Sequence, residues 1–214
     1  MFSKSAPCPL PPLVIRSNFT YDIIHRVTYI KFLGVYYDQK LTFNRHISYL
    51  SSRLASISSL IYRVKHIIPQ SIMKIMYHAH ISSLLNYCNV IWANTYDCHL
   101  MPLILILKRI IRNLARADFL ANTEPLFREL RILNIENTRK LALAKYFYKN
   151  REEITLALTA NHNYNTRNRN LLRPAIHSHT QFEKSFIYQA PMFWNSINHH
   201  FPPDHLDHMT YKQK

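Results

Sequence analysis

Glycine is the residue that most constrains this chain, because Gly34 is the only one among its 214 residues. A phosphate-cradling loop or a dinucleotide-binding fingerprint needs several glycines, so the sequence excludes both kinds of fold. It also excludes the Gly-x-Ser-x-Gly elbow of the serine hydrolases. Gly34 follows the β-branched and aromatic run 29–33, where a glycine indicates a bulge, a tight bend or a close backbone approach. Two interpretations stay open. In the first, the hairpin packs against a nucleic-acid backbone. In the second, the glycine only allows the tight turn of a surface hairpin.

The chain is strongly basic: 27 Lys and Arg stand against 12 Asp and Glu, which gives a formal net charge of +15. Only 18% of the residues are charged, so the imbalance reflects missing acids as much as added bases. The 13 histidines add positive charge below about pH 6.5. Such a field favours a polyanionic partner, either nucleic acid or an anionic membrane surface, and does not determine the fold.

Metal sites, disulfides and membrane spans find little support in the sequence. Cys8, Cys88 and Cys98 are widely spaced, so neither a zinc finger nor a disulfide framework is indicated, and a reducing compartment is expected. The Asp-His pairs at 204–205 and 207–208 lack the further ligands of a metal site. Residues 75–96 have no Asp, Glu, Lys or Arg but contain histidines and asparagines, which are costly in a bilayer. We therefore expect a soluble protein with no metal, cofactor or small-molecule site and no membrane partner.

The hydrophobic pattern predicts a mainly α fold with a small N-terminal β-hairpin. Short strands are expected at 13–15 and 28–37, after a proline-rich start. Apolar residues then recur at helical spacing over 44–66, and Pro69 is placed to open a second helix with Ile72 and Ile75 on its apolar face. Further helices are expected at 99–117, at 136–150, and after Thr123 as an N-cap. The chain thus divides into residues 1–40, a helical bundle at 41–150, and a loop-rich, basic and aromatic extension at 151–214.

Two clusters of basic residues are candidates for phosphate contact. The first lies on the helix predicted at 99–117 and consists of Lys108, Arg109, Arg112 and Arg116. Three of these are four residues apart and share one side of the helix. A solvated face usually mixes signs and this one is purely basic, so phosphate contact and a solvated face stay open as alternatives. The second is the segment 164–169, where Arg167 and Arg169 alternate with asparagine beside a tyrosine, a composition suited to phosphate and sugar contacts.

Taken in order, these segments resemble the C-terminal part of a reverse transcriptase from the jockey/CR1-like non-LTR retrotransposons. The resemblance covers the hairpin that closes the palm, the helical thumb and the region beyond it. Its N-terminal motifs are Tyr29-x-Lys31-Phe32-Leu33-Gly34-Val35-x-x-Asp38 and Leu41-x-Phe43-x-x-His46-Ile47. The later motifs are Tyr62-Arg63, Leu84-x-x-Tyr87, Ile91-Trp92, Leu107-Lys108-Arg109-x-Ile111-Arg112, Pro125-Leu126-Phe127, His162-x-Tyr164-Asn165-Thr166-Arg167 and Phe193-Trp194-Asn195-Ser196.

The resemblance implies a role in holding a template–primer duplex. Residues 1–40 would end the palm with a hairpin resembling a primer grip, and residues 41–150 would form the thumb. Lys31, Phe32, Leu33 and Gly34 would lie near the primer end. The expected partner is an RNA–DNA hybrid, whose wide, shallow minor groove suits sequence-independent backbone contact. A separate palm fragment is a second candidate partner, and the location would be intracellular, or nuclear if the chain behaves like the family.

The catalytic parts of that family are not among the matched segments. Polymerisation there depends on palm aspartates that bind divalent metal, including an Asp-Asp pair, and on an N-terminal endonuclease. This sequence has no adjacent Asp pair, and Met1-Phe2-Ser3 resembles the end of the last palm segment. We therefore expect a truncated fragment without polymerase activity of its own. The alternative is a non-functional or repurposed basic helical protein with no specific nucleic-acid role.

Overall fold

Two separate antiparallel hairpins precede the helices of this protein. A computed structural model describes the backbone of residues 13–16 and 21–24, together with residues 27–150, 172, 174, 177 and 180–200. The first hairpin pairs β1 (Leu13–Arg16) with β2 (Tyr21–Ile24). The second pairs β3 (Tyr29–Phe32) with β4 (Val35–Asp38). The small N-terminal β-structure predicted from sequence is therefore confirmed.

The only glycine forms the turn of the second hairpin. Leu33 and Gly34 have φ angles of 46° and 82°, the left-handed pair that a two-residue type I′ turn requires. The hairpin predicted around Gly34 is therefore confirmed, and these two left-handed residues separate β3 from β4. Tyr87 closes the tip of this hairpin by donating its hydroxyl to the Leu33 carbonyl at 2.6 Å.

Helices form most of the rest of the described chain. Those predicted at 44–66, 99–117 and 136–150 are confirmed with ends that differ by one or two residues. In order, the helices are α1 (Asn44–Val64), α2 (Gln70–Met76), a π-helical turn (Tyr77–Ser82), α3 (Ser83–Asn86), α4 (Asn89–Trp92), α5 (Asp97–Ala115), α6 (Thr123–Leu130), α7 (Ile135–Lys149), α8 (Thr180–Glu183) and α9 (Phe186–His200).

The main core lies between α1 and α5, whose apolar faces pack against each other. Their inward residues recur three or four positions apart, as an amphipathic helix requires. Leu54 and Ile61 of α1 and Leu103 and Leu114 of α5 are fully buried. Trp92 fills the same core and donates its indole N–H to the Tyr87 carbonyl at 2.8 Å. The second hairpin packs against this core through Val35 of β4, which is 1% exposed.

The helix that Pro69 opens buries a different face from the one predicted. Ile72 and Ile75 are exposed, and the buried residues are instead Met73, Tyr77, Ile81 and Leu85. These residues are four apart in sequence, and they share one side of the helix because it passes through the π-helical turn at 77–82. A π-helical turn bonds each residue to the fifth one along, which widens the turn and keeps a four-residue spacing on one side.

The helix starts and ends use polar caps and left-handed residues. Asn122, and not the predicted Thr123, is the N-cap of α6, and its side-chain oxygen accepts from the Glu124 N–H at 3.1 Å. Thr123 lies inside the helix. At their C-terminal ends, α5 and α6 terminate at Arg116 and Arg131 with φ of 54° and 56°. Glycine usually occupies such positions in other proteins.

Residues 180–200 of the C-terminal extension are mainly helical, and α9 packs on α7. Trp194 of α9 stacks on Phe147 with 4.4 Å between ring centroids. Asn195 exchanges two hydrogen bonds with the Leu172 backbone, at 3.0 and 2.8 Å. The loop-rich character predicted for 151–214 therefore does not apply to 180–200, where Phe186, Ala190 and Trp194 lie four apart on one side of α9 and pack against Phe147.

Candidate nucleic-acid interface

A surface of alternating cations and tyrosine rings lies where the second hairpin meets the start of α1. In the hairpin register Lys31 pairs with Tyr36 and Tyr29 pairs with Asp38, so these residues share one face. On α1, the basic and aromatic residues lie four apart and share one side of the helix. We call this set the cation–aromatic surface: Tyr29, Lys31, Tyr36, Arg45, Tyr49 and Arg53.

The cations of this surface lie on tyrosine rings. The Arg45 guanidinium is 3.7 Å from the ring centroid of Tyr29. The Lys31 ammonium is 5.3 Å from the Tyr36 ring and 6.0 Å from the Tyr49 ring. The Arg53 guanidinium lies 5.9 Å from the ring centroid of Tyr49. These distances are those of cation–π contacts, which hold the charged groups in place. Arg53 also donates from Nη1 to the Tyr49 hydroxyl oxygen at 3.4 Å.

Negative charge is scarce around this surface. The sequence has no Asp or Glu between Asp38 and Asp97, so α1 has no acidic residue. The Asp38 carboxylate accepts from the Thr42 N–H at 3.0 Å, the Thr42 hydroxyl at 2.9 Å and the Phe43 N–H at 2.7 Å. Burial raises the pKa of Asp38, but these hydrogen bonds outweigh burial and hold it below its ordinary value. Asp38 is thus ionised at neutral pH and orders the start of α1.

A buried histidine supports the surface from below. His46 is 3% exposed, and its ring lies 6.5 Å from Tyr36, 6.3 Å from Tyr49 and 5.7 Å from Trp92. Burial lowers the pKa of His46, so the ring is neutral at neutral pH. His46 therefore joins Tyr36 and Tyr49 to Trp92 of the core.

Only one of the four hairpin residues predicted to contact nucleic acid belongs to this surface. Lys31 lies on it, whereas Phe32 pairs with Val35 on the opposite face. Phe32 and Leu33 are 59% and 71% exposed at the hairpin tip, and Gly34 forms the turn. Consecutive strand residues point to opposite faces, so Lys31 and Phe32 lie on different sides of the hairpin.

The basic cluster on α5 divides into two parts. Arg112 donates from Nε to the Ala121 carbonyl, and Arg116 donates to the Ile68 carbonyl, both at 2.9 Å. These two arginines hold neighbouring loops in place. Lys108 and Arg109 are exposed, and Lys108 lies in a groove that also contains Glu124. Arg167 and Arg169 lie outside the described residues.

Sequence reasoning missed most of the cation–aromatic surface. Arg45, Tyr49 and Arg53 have a visible signal, which is four-residue spacing on a helix without acids. Tyr29 and Tyr36 become neighbours of that helix only through the hairpin register and the contact of β4 with α1.

Other kinds of site were not found in the part of the chain that the structure describes. No group of three or more His, Cys, Asp or Glu side chains there is arranged to hold a metal ion. No helix within the same ranges is long and apolar enough to cross a bilayer. No protein-family model, curated protein or solved structure matches the chain. A functional assignment therefore depends on the geometry of its residues and on the sequence motifs.

Proposed function

We propose that the cation–aromatic surface binds a nucleic-acid duplex with little sequence preference, and that its natural partner is an RNA–DNA hybrid. The observation that supports this is the placement of Lys31, Arg45 and Arg53 on three tyrosine rings beside a helix without acids. The motifs shared with retrotransposon reverse transcriptases support the further assignment of the second hairpin and the helices as a palm-closing hairpin and thumb.

The cations and the tyrosine rings of this surface contribute to binding in different ways. Cations that neutralise phosphates release counterions, which favours binding whatever the base sequence. Tyrosine rings add contact area for sugars or unstacked bases. Helix α1 has 21 residues and is therefore about 30 Å long, so it can follow a duplex backbone beyond the hairpin. A hybrid approaching the A form presents a wide, shallow groove to such a helix.

The test compares two pairs of arginines with equal charge. The variant Arg45→Gln/Arg53→Gln removes two positive charges from the proposed surface. The control variant Arg128→Gln/Arg131→Gln removes two positive charges from α6 and its C-terminal end. Binding of a labelled RNA–DNA hybrid is followed by fluorescence anisotropy over a range of salt concentrations. The first variant should flatten the slope of log affinity against log salt by about 1.5, since each lost phosphate contact removes about 0.7–0.9.

The control pair should leave the slope within about 0.5 of the wild-type value. Equal flattening by both pairs would contradict the proposal and would favour a basic protein whose whole charge adheres to polyanions. A wild-type protein that prefers one base sequence would also contradict it, because phosphate contacts do not discriminate between bases.

A further inference from the structure

A pocket separate from the cation–aromatic surface lies between the C-terminal half of α1 and α5. Its volume is about 340 Å³, within the range of small-molecule sites. It shares no residue with the cation–aromatic surface. Its lining includes Ser58, Tyr62, Arg109, Asn113 and Phe119.

Two hydrogen-bonding groups in this pocket are buried without a partner. Ser58 and Asn113 are 3% and 7% exposed. Among the described residues, nothing accepts from the Ser58 hydroxyl or from the Asn113 side-chain amide nitrogen. Burying a donor without a partner destabilises a fold, so such groups need an explanation. A ligand with acceptor oxygens would satisfy both.

The charge of the pocket favours an anionic ligand. Arg109 is an exposed cation on its wall, and the lining residues of the described chain include no Asp or Glu. Asp118 neighbours Phe119 in sequence, but it is not part of the lining and its carboxylate accepts from the Phe119 N–H at 2.7 Å. A guanidinium beside neutral donors is the arrangement that phosphate oxygens select.

Two exposed aromatic rings flank these donors. Tyr62 and Phe119 are 60% and 69% exposed although both line the pocket. The Lys65 ammonium lies 4.5 Å from the Tyr62 ring centroid, which adds a second cation nearby. The loop bearing Phe119 is held by the hydrogen bond from Arg112 to the Ala121 carbonyl. Exposed rings at a fixed position offer a stacking surface for a planar base.

We propose that this pocket binds a nucleotide, with its phosphate on Arg109, Ser58 and Asn113 and its base against Tyr62 or Phe119. This inference does not rest on the proposed function. Nucleotide binding can be observed when the cation–aromatic surface does not bind a hybrid, and hybrid binding can be observed when the pocket does not bind a nucleotide.

The experiment titrates the full chain with adenosine monophosphate, adenosine and inorganic phosphate, each followed by calorimetry and by NMR of the Asn113 side-chain amide. Adenosine monophosphate should saturate the site and shift the Asn113 signal. Adenosine and phosphate alone should each bind at least about tenfold more weakly, because each lacks one half of the contacts. Equal binding of phosphate would overturn the nucleotide assignment and leave an anion site. Equal binding of adenosine would overturn the role of Arg109.

Two variants separate ligand binding from folding. Ser58→Ala should weaken adenosine monophosphate binding several-fold while the melting temperature stays constant or rises, because it removes an unpartnered buried hydroxyl. Arg109→Gln should weaken binding about tenfold or more, whereas the matched control Arg128→Gln should not. Wild-type affinity in both pocket variants, or no binding of adenosine monophosphate at millimolar concentration, would overturn the proposal.

Discussion

Asp38 joins the second hairpin to α1, and its removal should loosen the junction on which the cation–aromatic surface depends. The half-buried carboxylate accepts three hydrogen bonds, at 3.0, 2.9 and 2.7 Å, from the two residues that precede α1. A hydrogen bond to a charged group contributes about 1.5–3 kcal/mol, and a helix-cap interaction about 1 kcal/mol. Because water can replace part of these contacts, we expect Asp38→Ala to cost about 2 kcal/mol.

The expected shift in melting temperature follows from the chain length. For a protein of this size 1 kcal/mol corresponds to about 2–4 °C, so Asp38→Ala should lower the melting temperature by about 4–8 °C. Asp38→Asn keeps one acceptor and loses the charge, so it should cost about half as much. Asp97→Ala is the matched control, since that exposed aspartate in the first turn of α5 should cost at most about 1 kcal/mol.

The measurement is urea unfolding followed by circular dichroism at several pH values. The pKa of Asp38 in the folded state lies below its ordinary value of 3.8. Its stabilising contribution is therefore complete above that pH and is lost as the pH falls through the lower folded-state value. The stability gap between wild type and Asp38→Asn should be full at pH 7 and should close below about pH 4. A gap that persists unchanged in acid, or no gap at neutral pH, would refute this account.

Two further predictions concern the α5 arginines and the catalytic chemistry. Arg112→Gln/Arg116→Gln should lower the free energy of unfolding by about 1–3 kcal/mol, because each arginine donates to a loop carbonyl. The same variant should change the salt slope of hybrid binding less than Arg45→Gln/Arg53→Gln does. Urea unfolding and anisotropy test this, and a stable variant with a strongly flattened slope would show that these arginines contact phosphate instead. The chain alone should not extend a primer on an RNA template with Mg²⁺ or Mn²⁺, since its sequence has no adjacent Asp pair. Incorporation that disappears on changing Asp38 or Asp97 would contradict this.

The helices that the sequence predicts best are those with an uninterrupted apolar period. Leu50 and Leu54 of α1 and Leu107 of α5 are buried as expected, because ordinary α-helical turns keep such residues on one side. The helix after Pro69 departs from this rule in its first turns, where Met73 is buried and Ile72 and Ile75 are exposed. Apolar residues occur on more than one side of this segment, so the sequence pattern alone does not select the buried face.

The candidate site was less predictable than the helices because its contacts join distant parts of the chain. Four-residue spacing groups Lys108, Arg112 and Arg116, but it cannot show that Arg116 donates to a carbonyl 48 residues away. In the same way, Lys31 stands out by its motif, whereas its neighbours on the surface are set by strand pairing and by the docking of β4 on α1.

Because glycine is nearly absent, this fold contains backbone strain that mutation could remove to raise its stability. Six described residues other than glycine have left-handed backbone angles: Leu33, Leu41, Phe43, Cys88, Arg116 and Arg131. Each L-residue in that region is strained by about 1–2 kcal/mol. At the end of α6, the strain at Arg131 is avoidable, since a glycine there would relax the backbone without touching the core. Natural drift or laboratory evolution toward heat resistance would therefore find a gain at the end of α6, where a single substitution leaves both proposed binding surfaces intact.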